Sequence, residues 1–167
     1  MGTFSDKYDT LDQLPDGAVI AIPNDVTNTA RALRVLAQTG LIELDQSVPQ
    51  ATVTVDDVTS NPKNFEFKEM NPEVLPNILD SVDAAIINGY FAIAAGLDLS
   101  TDLYNEKVTE GYINIIAVRE ADVDSELTKT LDKIVHSDDF RNAIENPDKQ
   151  YKSFTKPDAY YEKSKFE

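Results

Sequence analysis

With 167 residues, 41% of them hydrophobic, the chain is long enough for one ordinary domain with a real core, or at most two small lobes. Its 30 acidic residues against 15 basic ones give a net charge of −15, which repels phosphate backbones and anionic lipid surfaces, so nucleic acid and lipid headgroups are poor partners. It has no cysteine, which excludes disulfides, thiolate metal ligands and cysteine nucleophiles. No stretch approaches the roughly 18 consecutive apolar residues of a membrane span, and the first ten residues lack the basic flank and apolar core of a signal peptide.

In chain order, Pro15-Asp16-Gly17 marks a turn, and the nearly continuous apolar run Ala18 to Ile22 predicts a short buried strand that Pro23 ends. From Thr27 to Gln38, Ala30, Leu33, Leu36 and Ala37 recur at helical intervals, and Thr39-Gly40 supplies the stop. The run 51–55 (ATVTV) predicts a short strand, 56–64 a loop or helical turn, and 65–70 (FEFKEM) a half-exposed strand. Residues 71–82 predict a short helix reshaped by Pro76, and 83–89 (DAAIING) a strand ending at Asn88-Gly89. A helix from Phe91 to Ala95 and a strong strand over 111–120 (GYINIIAVRE) come next. Beyond Ser125 the spacing of Leu127, Leu131, Ile134 and Val135 predicts an amphipathic helix, followed by another around Phe140 and Ile144. Strands alternating with helices make this an α/β fold with a mixed sheet flanked by helices. The expected organisation is a lobe over residues 1–120, C-terminal helices over 121–146 and an extended tail over 147–167.

In such folds ligands gather beyond the carboxyl ends of the strands, where the following helices begin. The segment 23–28 (PNDVTN) lies at such a place. Asn24, Asp25, Thr27 and Asn28 are cap-forming types, and a helix N-terminus favours an anion. Arg31, near the first turn, adds a planar fork matched to a carboxylate. It has two readings, a salt bridge with one of the many acids or capture of a small carboxylate ligand. Asn88 and Asn114 each present an amide beside buried apolar sequence, as turn formers, as satisfied buried polar groups or as ligand contacts.

The blocks 11–44 (LDQLPDGAVIAIPNDVTNTARALRVLAQTGLIEL), 61–70 (NPKNFEFKEM), 83–97 (DAAIINGYFAIAAGL) and 111–122 (GYINIIAVREAD) stand in the order and spacing of one family. The chain resembles the NlpA/MetQ-type methionine-binding lipoproteins over about residues 1–145. The resemblance implies a lobe of a type II periplasmic-binding-protein-like fold and a part in delivering methionine, a related amino acid or a methionine peptide to an ABC importer. It implies a parent protein lipid-anchored outside the cytoplasm, with the importer's permease as partner. It also implies ligand contacts at Arg31 for the carboxylate and at Asn88 and Asn114 for the amino-acid backbone. Asn28 is a further candidate, with helix capping as its other role. The chain departs from the pattern at Ala30, where the family usually has glycine, and at Tyr90, where it often has a second asparagine. Its start aligns with an internal family segment, so the lipid-anchor site and most of one lobe are expected to precede the matched region in the family. The open half-site is therefore expected to bind weakly or undetectably. The apolar stripe from Leu127 to Ile144 is expected to fold back on the remaining lobe or to pair with a second copy, giving a homodimer.

No enzyme activity, metal or cofactor is expected. Asp122, Asp124 and Glu126 lack the glycine and terminal glutamate of a calcium loop, and like Asp138 and Asp139 they sit where helices start. His136, the only histidine, falls at a helix end facing the negative dipole. No serine sits in a nucleophile elbow. The competing readings are an acidic hydrolase or transferase and an interaction or self-associating module without a small-molecule ligand.

Overall fold

The computed structural model describes residues 1–166, with no side-chain description for Glu110. It divides into two compact units, Met1–Lys107 and a second from Val108 onward.

The first unit is built on a five-stranded mixed sheet: β1 (Gly2–Phe4), β2 (Val19–Pro23), β5 (Glu66–Met70), β6 (Ala84–Ile87) and β7 (Tyr104–Asn105), in spatial order β5-β2-β6-β1-β7. A separate two-stranded ribbon joins β3 (Glu43–Leu44) to β4 (Val58–Ser60). Strand β2 runs parallel to β5 and β6, whereas β1 runs antiparallel to β6 and β7. The unbroken apolar runs of β2 and β6 follow from burial on both faces. Ile20, Ile22, Ala84 and Ile86 pack with Ala30, Leu33 and Leu36 of helix α1 (Val26–Gln38). Ala21, Ala85 and Ile87 point the other way, against Phe4, Leu75, Leu79 and Ala92, the last on helix α2 (Gly89–Ala94). The period-two alternation of a strand thus divides one short sequence between two cores.

Helix α1 begins one residue earlier than the sequence spacing suggests, because Asp25 is its N-cap and accepts the Asn28 backbone N–H at 3.0 Å. Asn28 is therefore not the cap. Gly40, at φ +76°, closes the helix in the left-handed conformation that glycine adopts without strain. Asp25→Ala should cost about 0.5–2 kcal/mol in chemical denaturation, the usual range for a lost N-cap. An unchanged midpoint would show that the cap is redundant.

Several expectations are corrected. The strand expected over Ala18 to Ile22 runs Val19–Pro23, so that Pro23 is its last residue, paired with Met70, at a terminal position where its missing N–H costs no interior ladder bond. The expected strand over 51–55 is a bend leading into a 3-10 turn, Val55–Asp57. The Asp57 carboxylate accepts both the backbone N–H and the hydroxyl of Thr54 at 2.8 Å, turning the chain. The expected helix over 71–82 is two 3-10 turns, Leu75–Asn77 and Leu79–Ser81, with Pro76 in the first.

The second unit holds α3 (Glu126–Val135) and α4 (Asp138–Glu145), capped by Ser125 and Ser137, which accept N–H bonds from Thr128 and Phe140. The expected strand over 111–120 is absent: Glu110–Tyr112 is a 3-10 turn and residues 113–119 have no regular structure. Ile115 is 80% exposed, and Ile116 and Val118 are exposed as well. The β-favouring composition is real, but a strand forms only where another strand meets its backbone groups. Among the described side chains of this unit none is buried. Its last segment contains 3-10 turns at Gln150–Ser153 and Asp158–Tyr161.

Candidate functional site

Because β1 is antiparallel to both β6 and β7, strand β7 runs in the direction of β6, β2 and β5. The carboxyl ends of β2, β6 and β7 consequently share one edge of the sheet, and Asn24-Asp25, Asn88 and Glu106 follow them there. This is the edge at which α/β sheets bind ligands.

Asn88 is the residue before α2, yet its side chain makes no capping bond to that helix. Its Nδ2 donates instead to Asn28 Oδ1 at 2.9 Å, and Asn28 Nδ2 donates to both Asp25 oxygens at 3.0 Å. Two of the predicted site residues are thereby joined across 60 positions of sequence. The remaining polar atom, Asn88 Oδ1, is buried and has no hydrogen-bond partner among the described residues. A buried acceptor left in this way costs about 1–3 kcal/mol, so the fold carries it at some expense.

Arg31 lies three residues beyond Asn28 on α1, on the neighbouring surface of the same helix. Its Nε donates to Glu106 Oε1 and Oε2 at 2.9 and 3.0 Å, and its Nη2 to Oε2 at 2.6 Å. Of the two readings of Arg31, the ion pair is therefore realised, with Glu106 as the acid. The Met1 ammonium donates to the same carboxylate at 2.7 Å. Burial pushes Glu106 up, but the bonds from Arg31 and Met1 outweigh it and hold the carboxyl below its ordinary range. For the Met1 amine burial wins, lowering it despite the Glu106 bond. Burial also raises Asp102, whose Oδ2 is buried with no hydrogen-bond partner among the described residues.

Asn114 lies in the second unit, on the irregular segment, exposed. The acidic groups serve local structure: Glu126, Asp138 and Asp139 occupy helix first turns, and Asp122 accepts from Arg119 Nε at 2.6 Å. His136 closes α3, its Nδ1 2.8 Å from the Asp132 carbonyl oxygen. Glu106 escaped sequence reasoning because β7 is only two residues long and nothing in Tyr104-Asn105-Glu106-Lys107 distinguishes it from the other acids.

A mixed sheet with helices on both faces, presenting polar side chains at the shared ends of its parallel strands, defines a lobe of the periplasmic-binding-protein kind. Residues 1–157 match the NlpA lipoprotein family, and the chain belongs to it. It is 38% identical over 148 residues to the methionine-binding lipoprotein MetQ of Bacillus subtilis, covering 86% of this chain and 54% of that protein. Against the D-methionine-binding lipoprotein MetQ of Escherichia coli the identity is 37% over 143 residues, covering 84% and 52%. A nutrient binding protein from Burkholderia cenocepacia, solved bound to methionine, superposes with a TM-score of 0.80 at 38% identity, over 90% of this chain and 63% of that one. The chain thus spans about half the length of the curated relatives it matches. Among the described residues no helix is long and apolar enough to cross a membrane.

Proposed function

We propose that the chain supplies one lobe of a non-enzymatic receptor for methionine, a related amino acid or a methionine peptide. In the complete protein, lipid-anchored outside the cytoplasm, that receptor hands its ligand to an ABC permease. The observation that carries the reading is the buried Oδ1 of Asn88 at the carboxyl end of β6, unpartnered among the described residues. An acceptor there suits a ligand's ammonium, while Arg31, one turn along α1 from Asn28, suits its carboxylate. Asn28 holds the Asn88 amide in orientation. Asn114 enters this reading on its sequence motif alone. The family membership and the named ligands of the relatives support the class of ligand.

A single lobe leaves much of a ligand wet, so binding in the millimolar range is expected, about −4 kcal/mol. The test is an NMR titration of the 15N-labelled chain with L-methionine, N-acetylmethionine and methioninol. The first should shift the Asn88 side-chain amide, and the other two, lacking ammonium or carboxylate respectively, should bind at least about tenfold more weakly, or about 1.4 kcal/mol. Asn88→Ala should erase the preference for methionine over N-acetylmethionine. Equal binding of all three compounds, or no shift at Asn88 with methionine, would overturn the reading and favour an interaction module.

A further inference from the structure

We propose that Glu106 is the positioning residue for Arg31, holding the guanidinium from behind by one edge so that its orientation toward a ligand carboxylate is set before binding. The proposal rests on the reading of Arg31 as carboxylate anchor. Three observations carry it. The Glu106 side chain is 4% exposed and that of Arg31 19%, so the carboxylate is the inner member of the pair and the guanidinium the outer. The contact is side-on: Nε and Nη2 both reach the same carboxylate, which fixes the guanidinium plane as well as its place. Two points of attachment restrict an arginine far more than one, and preorganisation of this kind raises affinity by removing the ordering cost from the binding step.

The third observation is that Glu106 is itself fixed. Its N–H donates to the Met1 carbonyl at 2.9 Å, continuing the ladder in which Asn105 pairs with Gly2. The next residue is clamped to α1 by one side-chain amide. Gln38 Nε2 donates to the Lys107 carbonyl at 3.1 Å, and the Lys107 N–H donates back to Gln38 Oε1 at 3.0 Å. Tyr104 Oη donates to the same Oε1 at 3.3 Å. Gln38 lies seven residues from Arg31, two turns along the same face of α1. Helix and strand end are therefore stapled twice, by Gln38 to Lys107 and by Arg31 to Glu106.

The test compares L-methionine with methioninol on the 15N-labelled chain, since the ratio of their affinities reports what the carboxylate contributes. In Glu106→Gln the ratio should fall at least about fivefold toward unity while methioninol binds as before, and the Arg31 Nε–H signal, expected to be sharp in the parent chain, should broaden. A general loss of structure would weaken both compounds together and leave the ratio alone. Gln38→Ala, at an exposed side, should lower the same ratio by a smaller factor, and it serves as the deciding variant if Glu106→Gln does not fold. A folded Glu106→Gln, or failing that Gln38→Ala, that keeps the parent ratio overturns the role of Glu106 and leaves the Arg31 reading standing. If the parent chain does not distinguish the two compounds, the Arg31 reading falls and this proposal with it.

Discussion

Arg31→Ala is expected to lower the unfolding midpoint by roughly 10 °C as well as to abolish the preference for methionine over methioninol. Removing one member of a buried ion pair strands the other, at a cost of about 3–5 kcal/mol when both are fully enclosed. Here the cost belongs toward or below the low end of that range, because Arg31 is partly exposed and the Met1 ammonium remains at 2.7 Å to hold Glu106. For a unit of this size each kcal/mol shifts the midpoint by about 4–8 °C, so two or so suffice. The pH dependence supplies an internal check. Glu106 titrates below its ordinary value in the folded chain. The stability it contributes is therefore present at pH above the ordinary carboxylate range and is lost as pH falls through the depressed value. The deficit of Arg31→Ala relative to the parent should shrink on that descent, since a protonated Glu106 no longer needs a cation. Thermal melts at neutral and acidic pH decide it, and a deficit independent of pH would mean that lost packing, not charge, accounts for the effect.

What the sequence made legible were the elements whose pattern is self-contained. The apolar runs of β2 and β6 announce strands buried on both faces, and the spacing of Ala30, Leu33 and Leu36 announces a helix resting on them. The strands that could not be foreseen, β1 and β7, are three and two residues long, and only partners more than 80 positions away make them strands. The site divides in the same manner. Arg31, Asn28 and Asn88 stand out because a cation at a helix start and amides at a strand end are unusual choices locally. Glu106 does not stand out, because its role exists only after β7 has paired with β1 and carried it 75 positions back to Arg31. The error over residues 113–118 is the converse: Ile-Asn-Ile-Ile-Ala-Val has the composition of a strand, but composition supplies no partner.

The second unit is expected to exchange its amide hydrogens much faster than the first. Helices α3 and α4 have ten and eight residues, below the roughly 12–15 at which even favourable isolated helices become marginal in water. Their serine caps help, but tertiary burial does not: Leu127 is 67% exposed and Ile134 50%, while Leu131, Val135, Phe140 and Ile144 are only partly covered. Full burial of each such side chain is worth about 1.5–3 kcal/mol, so the stripe retains a strong drive to pair. In dilute solution the amides of α3 and α4 should therefore exchange at least about a hundredfold faster than those of α1 and β2, a gap of about 2.7 kcal/mol in opening free energy. The two expected partners of the stripe, the remaining lobe and a second copy, are told apart by concentration dependence. A net charge of −15 opposes association with a second copy, so raising protein concentration should slow exchange in α3 and α4 chiefly when salt screens the repulsion. Hydrogen exchange read by mass spectrometry at two concentrations, with and without added salt, separates the cases. Protection in α3 and α4 equal to that of α1 in dilute, low-salt solution would show that these helices need no partner. Fast exchange that neither concentration nor salt alters would exclude the second copy.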